Sequence, residues 1–136
     1  MFAVLGWYAV NSLQNLPHHV SYFNEFVGGI ENAAKLTSDS YLDWGQDNKR
    51  LADWVRINRI GSIKVAMHFI NPPELTQQRV NWQLMGEGDY EHPAPGYYAL
   101  DVEQLQLQKT RPQSWFSKAT PIARVGKTIY LFKAEL

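Results

Sequence analysis

The stretch that decides the fold is Gln46-Asp47-Asn48-Lys49-Arg50-Leu51-Ala52-Asp53-Trp54-Val55-Arg56-Ile57-Asn58-Arg59-Ile60, followed by Gly61 and then Ser62-Ile63-Lys64-Val65-Ala66-Met67-His68-Phe69-Ile70. Leu51, Trp54, Val55 and Asn58 share one stripe at three- and four-residue steps, with Asp47, Lys49, Arg50, Asp53 and Arg56 largely on the other side. That spacing predicts a helix over 46–60 with Gly61 as its stop. The period then changes. Ile63, Val65, Met67 and Phe69 alternate with Ser62, Lys64, Ala66 and His68, which predicts a half-buried strand.

Upstream of this unit, Val4, Leu5, Tyr8, Ala9, Leu13 and Leu16 recur at helical steps until Pro17 interrupts them. The pattern predicts helical pieces over 3–15 and 18–27, ended by the backbone freedom of Gly28-Gly29. An extended segment or short strand is expected over 33–41. Downstream, Pro72-Pro73 closes the strand, the spacing over 76–85 is compatible with a helix, and Gly86 to Pro95 reads as an exposed loop. A Tyr-rich alternating strand is expected over 96–102 and a short helix over 112–118. Pro121 to Val125 and Thr128 to Lys133 flank Gly126-Lys127, so the chain is expected to end in a β-hairpin. The whole predicts a single-domain α/β (α+β) sandwich, with a small mixed β-sheet and helices packed on it. Residues 1–27 form its helical N-terminal segment and residues 33–136 the α/β core.

Composition bounds the function. The chain has 136 residues, 45% of them hydrophobic, with 13 Lys+Arg against 13 Asp+Glu and no cysteine. A chain of this length buries roughly 65–70% of its unfolded surface without metal or disulfide staples. Zero formal charge and the lack of a basic cluster argue against nucleic acid as a partner. Thiolate nucleophiles, disulfides and Cys-ligated zinc are excluded. The apolar stretch Met1 to Val10 is half the ~20 residues that cross a bilayer, and Phe2, Trp7 and Tyr8 do not fit a signal peptide. Two readings stand for it: a buried amphipathic helix, or the tail of a longer membrane helix with Trp and Tyr at the water interface.

The densest polar cluster is Asp39-Ser40-Tyr41-Leu42-Asp43-Trp44-Gly45-Gln46-Asp47. Its carboxylates recur every four residues, but Gly45 makes a strand-turn-helix passage the better fit than one helix. Asp43 is then placed to cap the helix, with Asp47 in its first turn against the helix dipole. The competing reading is a carboxylate site, either an oxygen-ligand metal cage or an acid/base pair. No metal and no cofactor is assigned, because no calcium-loop pattern, His-x-x-x-His spacing, phosphate loop, dinucleotide fingerprint or nucleophile elbow is present. His18, His19, His68 and His92 read as structural or solvent-facing. Trp54 fits a core stripe and Trp44, Trp82 and Trp115 adjoin predicted helices, so most read as packing residues, leaving a stacking platform for sugars as the lesser alternative.

Several strings in order carry a resemblance. They are Trp7, Ala9 and Ser12-Leu13; Pro17-His18; Ser21-Tyr22-Phe23-Asn24-Glu25; Gly28-Gly29; Asp39-Ser40; Leu42-Asp43-Trp44-Gly45-Gln46-Asp47; Pro95-Gly96-Tyr97-Tyr98-Ala99; and Pro121-Ile122-Ala123-Arg124-Val125-Gly126 before Ile129. Over about residues 7 to 132 the chain resembles the C-terminal extracytoplasmic domain of bacterial membrane glycosyltransferases. These belong to the protein O-mannosyltransferase-like (dolichyl-phosphate-mannose protein mannosyltransferase-like) superfamily, which uses polyprenyl-phosphate-linked sugars. The chain departs from that pattern at Tyr41, where asparagine is expected, and at Asn48, where a hydrophobic residue is expected.

The family's catalytic apparatus lies in its membrane portion. The resemblance therefore implies an accessory domain that is no enzyme by itself, at the periplasmic or extracytoplasmic face, with the membrane-embedded glycosyltransferase portion as its partner. A glycan or polypeptide acceptor is the further partner implied. A detached reading frame would instead be cytoplasmic. Asp39, Asp43, Trp44, Gln46, Asp47 and Tyr97 are the candidate binding residues, on a polar surface expected at the carboxyl end of the first strand, where α/β sheets place ligands. Two other classes of function stay open: a free-standing glycan- or protein-binding module, and a small hydrolase using paired carboxylates.

Overall fold

The computed structural model describes residues 5–7, 9, 10, 13, 45–68 and 73–135. Residues 5–7, 9, 10 and 13 are helical, within the expected 3–15 piece. The pieces expected over 18–27 and 33–41 lie outside the described residues.

Helix α1 (Asn48–Ile57) forms where the apolar stripe predicts it and buries Leu51, Ala52 and Val55. It ends before Gly61. Arg59 takes φ 53°, the amide of Ile60 donates to the Val55 carbonyl at 3.0 Å, and the Asn58 side chain donates to the Trp54 carbonyl at 2.8 Å. This left-handed C-terminal turn satisfies carbonyls that the helix leaves open, and it seats Ile60 against the core.

Strand β1 (Ile63–Ala66) follows and is buried on both faces rather than one. Ile63, Val65 and Met67 join a core with α1, whereas Ala66 joins a second core on the opposite side. The region expected to be helical over 76–85 divides into α2 (Pro73–Gln77) and β2 (Trp82–Leu84). Arg79 at φ 57° stops α2 as Arg59 stops α1, with the Val80 amide donating to the Leu75 carbonyl at 2.9 Å. The chain is thereby turned out to lay β2 beside β1.

Within the expected loop over 86–95 stands a single helical turn, α3 (Gly88–Glu91). Strand β3 (Gly96–Asp101) falls where expected, and helix α4 (Val102–Lys109), which the sequence pattern did not predict, begins directly at its end. Over 112–118 the expected helix is a 3-10 turn, Trp115–Ser117. The terminal hairpin is present as β4 (Ala123–Val125) and β5 (Ile129–Ala134).

Among the described residues, five strands form one mixed sheet in the order β2-β1-β3-β5-β4. The β1 strand is parallel to both β2 and β3, β5 runs antiparallel to β3, and helices pack on the sheet, so the architecture is α/β as the periodicities predicted. On one face α1 and Leu75 of α2 cover Ile63, Val65, Ala99, Ile129 and Leu131. On the other, Leu105 of α4 and Phe116 cover Ala66, Tyr98, Leu100 and Phe132. Phe116 is the hub of that second core, edge-on to Tyr90, Tyr98, Trp115 and Phe132 at centroid distances of 5.1–6.3 Å.

Consecutive crossovers lie on opposite faces. The connection from β1 to β2 carries Leu75 to the first core, and the connection from β2 to β3 carries Tyr90 to the second. The helices that follow the neighbouring strands β1 and β3 thus pack on opposite faces, Leu75 of α2 on the first core and Leu105 of α4 on the second, the arrangement of a topological switch point in an open α/β sheet. Because Asp101 registers with Ile129, the turn joining β4 to β5 stands at the same edge.

Candidate functional site at the carboxyl edge of the sheet

Asp47 reaches this edge from the N-terminal end of α1. It occupies the cap position, but its side chain does not cap the helix. Its fully buried carboxylate instead accepts from the Arg50 guanidinium at 2.6 Å, the Lys127 amide at 2.8 Å, and the Thr128 amide and hydroxyl at 3.2 and 3.0 Å. Burial of the carboxylate is tolerated because both oxygens accept hydrogen bonds, Oδ2 from three donors and Oδ1 from the Arg50 guanidinium, which also meets the charge. The expectation that Asp47 serves the first turn of the helix is corrected on this point: it ties the start of α1 to the β4–β5 turn.

Gly126 makes that possible. Its φ is +59°, and a Cβ there would lie 2.0 Å from the Asp47 carboxyl carbon.

At the end of β3, Asp101 is also fully buried. One carboxylate oxygen caps α4 by accepting from the Gln104 amide at 2.7 Å, and the other accepts from the His68 amide. Asp101 thereby fixes the exit of β1 against the start of α4. Two groups stand above it: the His68 imidazole Nδ1 lies 3.2 Å from Glu103 Oε2, their side chains 41% and 32% exposed. An imidazole and a carboxylate at a switch point can accept or donate hydrogen bonds to a polar ligand and exchange a proton with it. His68 is solvent-facing, as the sequence reading allowed, but its pairing with Glu103 was not anticipated. The position of His68 two residues beyond β1, next to where a helix cap had to follow β3, is the signal that could have found it.

Among the expected binding residues, Gln46 is half-buried at the same edge, next to Asp47. Tyr97 is not brought to them. It registers with Ile63 and Lys133, at the opposite end of the sheet, where it meets Trp54 edge-on at 6.4 Å. Asp39, Asp43 and Trp44 lie outside the described residues, and with them the proposed capping role of Asp43. Asn48, where the family expects a hydrophobic residue, is buried; a Cβ on Gly45 would come within 3.0 Å of its amide nitrogen. Trp54, Trp82 and Trp115 pack against the two cores, and the Trp82 indole donates to Thr76 at 3.0 Å. Among the described residues no group of three or more His, Asp or Glu side chains could hold a metal ion.

Comparison of the chain with family models, curated proteins and solved structures gives no match.

Proposed function

We propose that this chain is an accessory domain of a membrane glycosyltransferase-like protein, acting on the extracytoplasmic side by positioning an acceptor or gating access to a catalytic site in the membrane. The observation that carries this reading is the use of Asp47. It is the last residue of the string most specific to the resemblance, and its carboxylate is spent on architecture rather than turned toward a substrate. The chemistry is then supplied elsewhere, and the domain contributes a rigid polar edge bearing Gln46, His68 and Glu103.

The N-terminal residues support a membrane setting. Leu5, Trp7, Val10 and Leu13 are 52–67% exposed and, being helical, spread around more than one side of their helix. A helix apolar on several sides is at home in lipid or under further protein, not in water. Among the described residues, no helix is long and apolar enough to cross a membrane.

The experiment is glycosyl transfer by the membrane protein that carries the domain, with Gln46→Ala and Glu103→Ala introduced together. We expect transfer to fall at least fivefold with the unfolding temperature unchanged. Unchanged transfer, or sugar turnover by the purified 136-residue chain alone, contradicts the proposal.

A further inference from the structure

A cleft of about 390 Å³ lies between α3, α4 and the segment leading into the 3-10 turn, a size suited to a small molecule. Gln104, Gln108 and Arg111 line it from α4 and the segment just beyond, at helical steps that bring them to one side, and Glu87, Tyr90 and Glu91 line it from α3 and the residue that precedes it.

Gln108 is 1% exposed, and its Oε1 has no hydrogen-bond partner among the described residues. The buried polar side chains Asp47, Asp101, Ser114 and Thr128 are all bonded, so Gln108 is the exception among them. A buried amide oxygen without a donor costs about 1–3 kcal/mol. A donor arriving from outside the chain is one way to satisfy such a group.

The charges around it are likewise uncommitted. Among the described residues none of Glu87, Glu91 and Arg111 has an ion-pair partner. Burial raises the Tyr90 hydroxyl above its ordinary value despite the nearby Arg111 guanidinium. Two carboxylates against one guanidinium call for a ligand with two cationic groups and one anionic group, and the orphaned oxygen calls for an N–H.

We propose that this cleft binds a free basic amino acid. Its two cationic groups pair with Glu87 and Glu91, one of them also donating an N–H to Gln108 Oε1. Its carboxylate takes the planar fork of Arg111, and Tyr90 covers the aliphatic stem. This site does not depend on the accessory role proposed above.

Calorimetric titration of the whole chain with L-lysine and L-arginine tests it. Saturable one-site binding is expected, weakened at least tenfold by Gln108→Leu and by Arg111→Ala. Nα-acetyl-lysine, which lacks one cation, and cadaverine, which lacks the carboxylate, should each bind at least tenfold more weakly. Gln108→Leu should keep or raise the unfolding temperature, since an apolar replacement removes an unsatisfied group; a structural glutamine would give a fall. No saturation by either amino acid, equal binding of the acetylated or decarboxylated analogue, a lowered unfolding temperature for Gln108→Leu, or saturable binding of glucose instead overturns the proposal.

Discussion

Gly126 and Asp47 show how much of the edge geometry rests on two side chains, one of them absent. A methyl group at Gly126 would occupy the space of the Asp47 carboxylate, and the backbone there is left-handed. The two sites must therefore be coupled. Asp47→Ala is expected to cost about 3–5 kcal/mol, because Arg50 and the Thr128 groups lose a buried partner. Gly126→Ala is expected to cost about 3 kcal/mol or more in the parent, but only about 1–2 kcal/mol, the left-handed penalty, once Asp47 is alanine. Denaturant unfolding of the four members of the cycle reads this directly; strict additivity would remove the contact from the account. The glycine was legible in the sequence as a hairpin turn. Its partner was not, because Asp47 lies 80 residues away from Lys127, and a local pattern shows only that an acid near a helix start can cap it.

At the scale of elements, α1 and α2 end in the same way, with an arginine in the left-handed region followed by an apolar residue seated on the first core. Arginine is strained there and glycine is not. Arg59→Gly is accordingly expected to stabilise the protein by about 0.5–1 kcal/mol, read as a raised midpoint in urea; a loss of stability would show that the arginine side chain contributes more than its backbone costs.

The link between β1 and α3 makes a pH-dependent contribution. Lys64 Nζ sits 2.6 Å from Asp89 Oδ1, and the Gly86 amide donates to the other Asp89 oxygen at 2.9 Å. Burial pushes the Asp89 carboxyl up, but the Lys64 and Gly86 hydrogen bonds outweigh it and the group ends below its ordinary value. The hydrogen bond to Asp89 holds the Lys64 ammonium above 10.5. A lowered carboxyl contributes stability above its unfolded value and loses it as the pH falls through the folded one. A raised ammonium contributes below 10.5 and loses it as the pH rises through its folded value. The stability difference between the parent and Asp89→Asn should therefore be flat across neutral pH, at about 1 kcal/mol, and shrink in acid and in strong alkali. A difference that grows in acid contradicts the pairing.

The elements also show what sequence patterning reaches and what it does not. Helix α1, β3 and the hairpin were legible because their apolar periods are clean and their ends carry turn residues. Helix α4 was not: in Val102-Glu103-Gln104-Leu105-Gln106-Leu107-Gln108-Lys109 the leucines stand two apart, which reads as a strand, and the helix is imposed by the Asp101 cap and the packing of Leu105. Strand β2 was hidden for a related reason. It lies at the sheet edge with Leu84 49% exposed, so no buried face marks it.

For the molecule as a whole, the sheet order β2-β1-β3-β5-β4 decides where function can sit. It places the switch point between β1 and β3, brings the start of α1, the cap of α4 and the β4–β5 turn to that edge, and closes both faces with helices. Gln46 and Asp47, two of the residues expected on a polar surface at the carboxyl end of the first strand, lie at this edge with His68, Asp101 and Glu103, Asp47 and Asp101 being buried. That edge is polar and held by the hydrogen bonds of two buried carboxylates, and the exposed apolar side chains of the N-terminal helix stand apart from it in character.

Density-gradient flotation of the 136-residue chain with phospholipid vesicles carrying polyprenyl phosphate tests the membrane-accessory account most directly. The chain is predicted to float with the vesicles, and the variant carrying Leu5→Ser, Trp7→Ser, Val10→Ser and Leu13→Ser to remain at the bottom with the same unfolding temperature. A parent chain that stays in the aqueous fraction, or a variant that floats equally well, contradicts it.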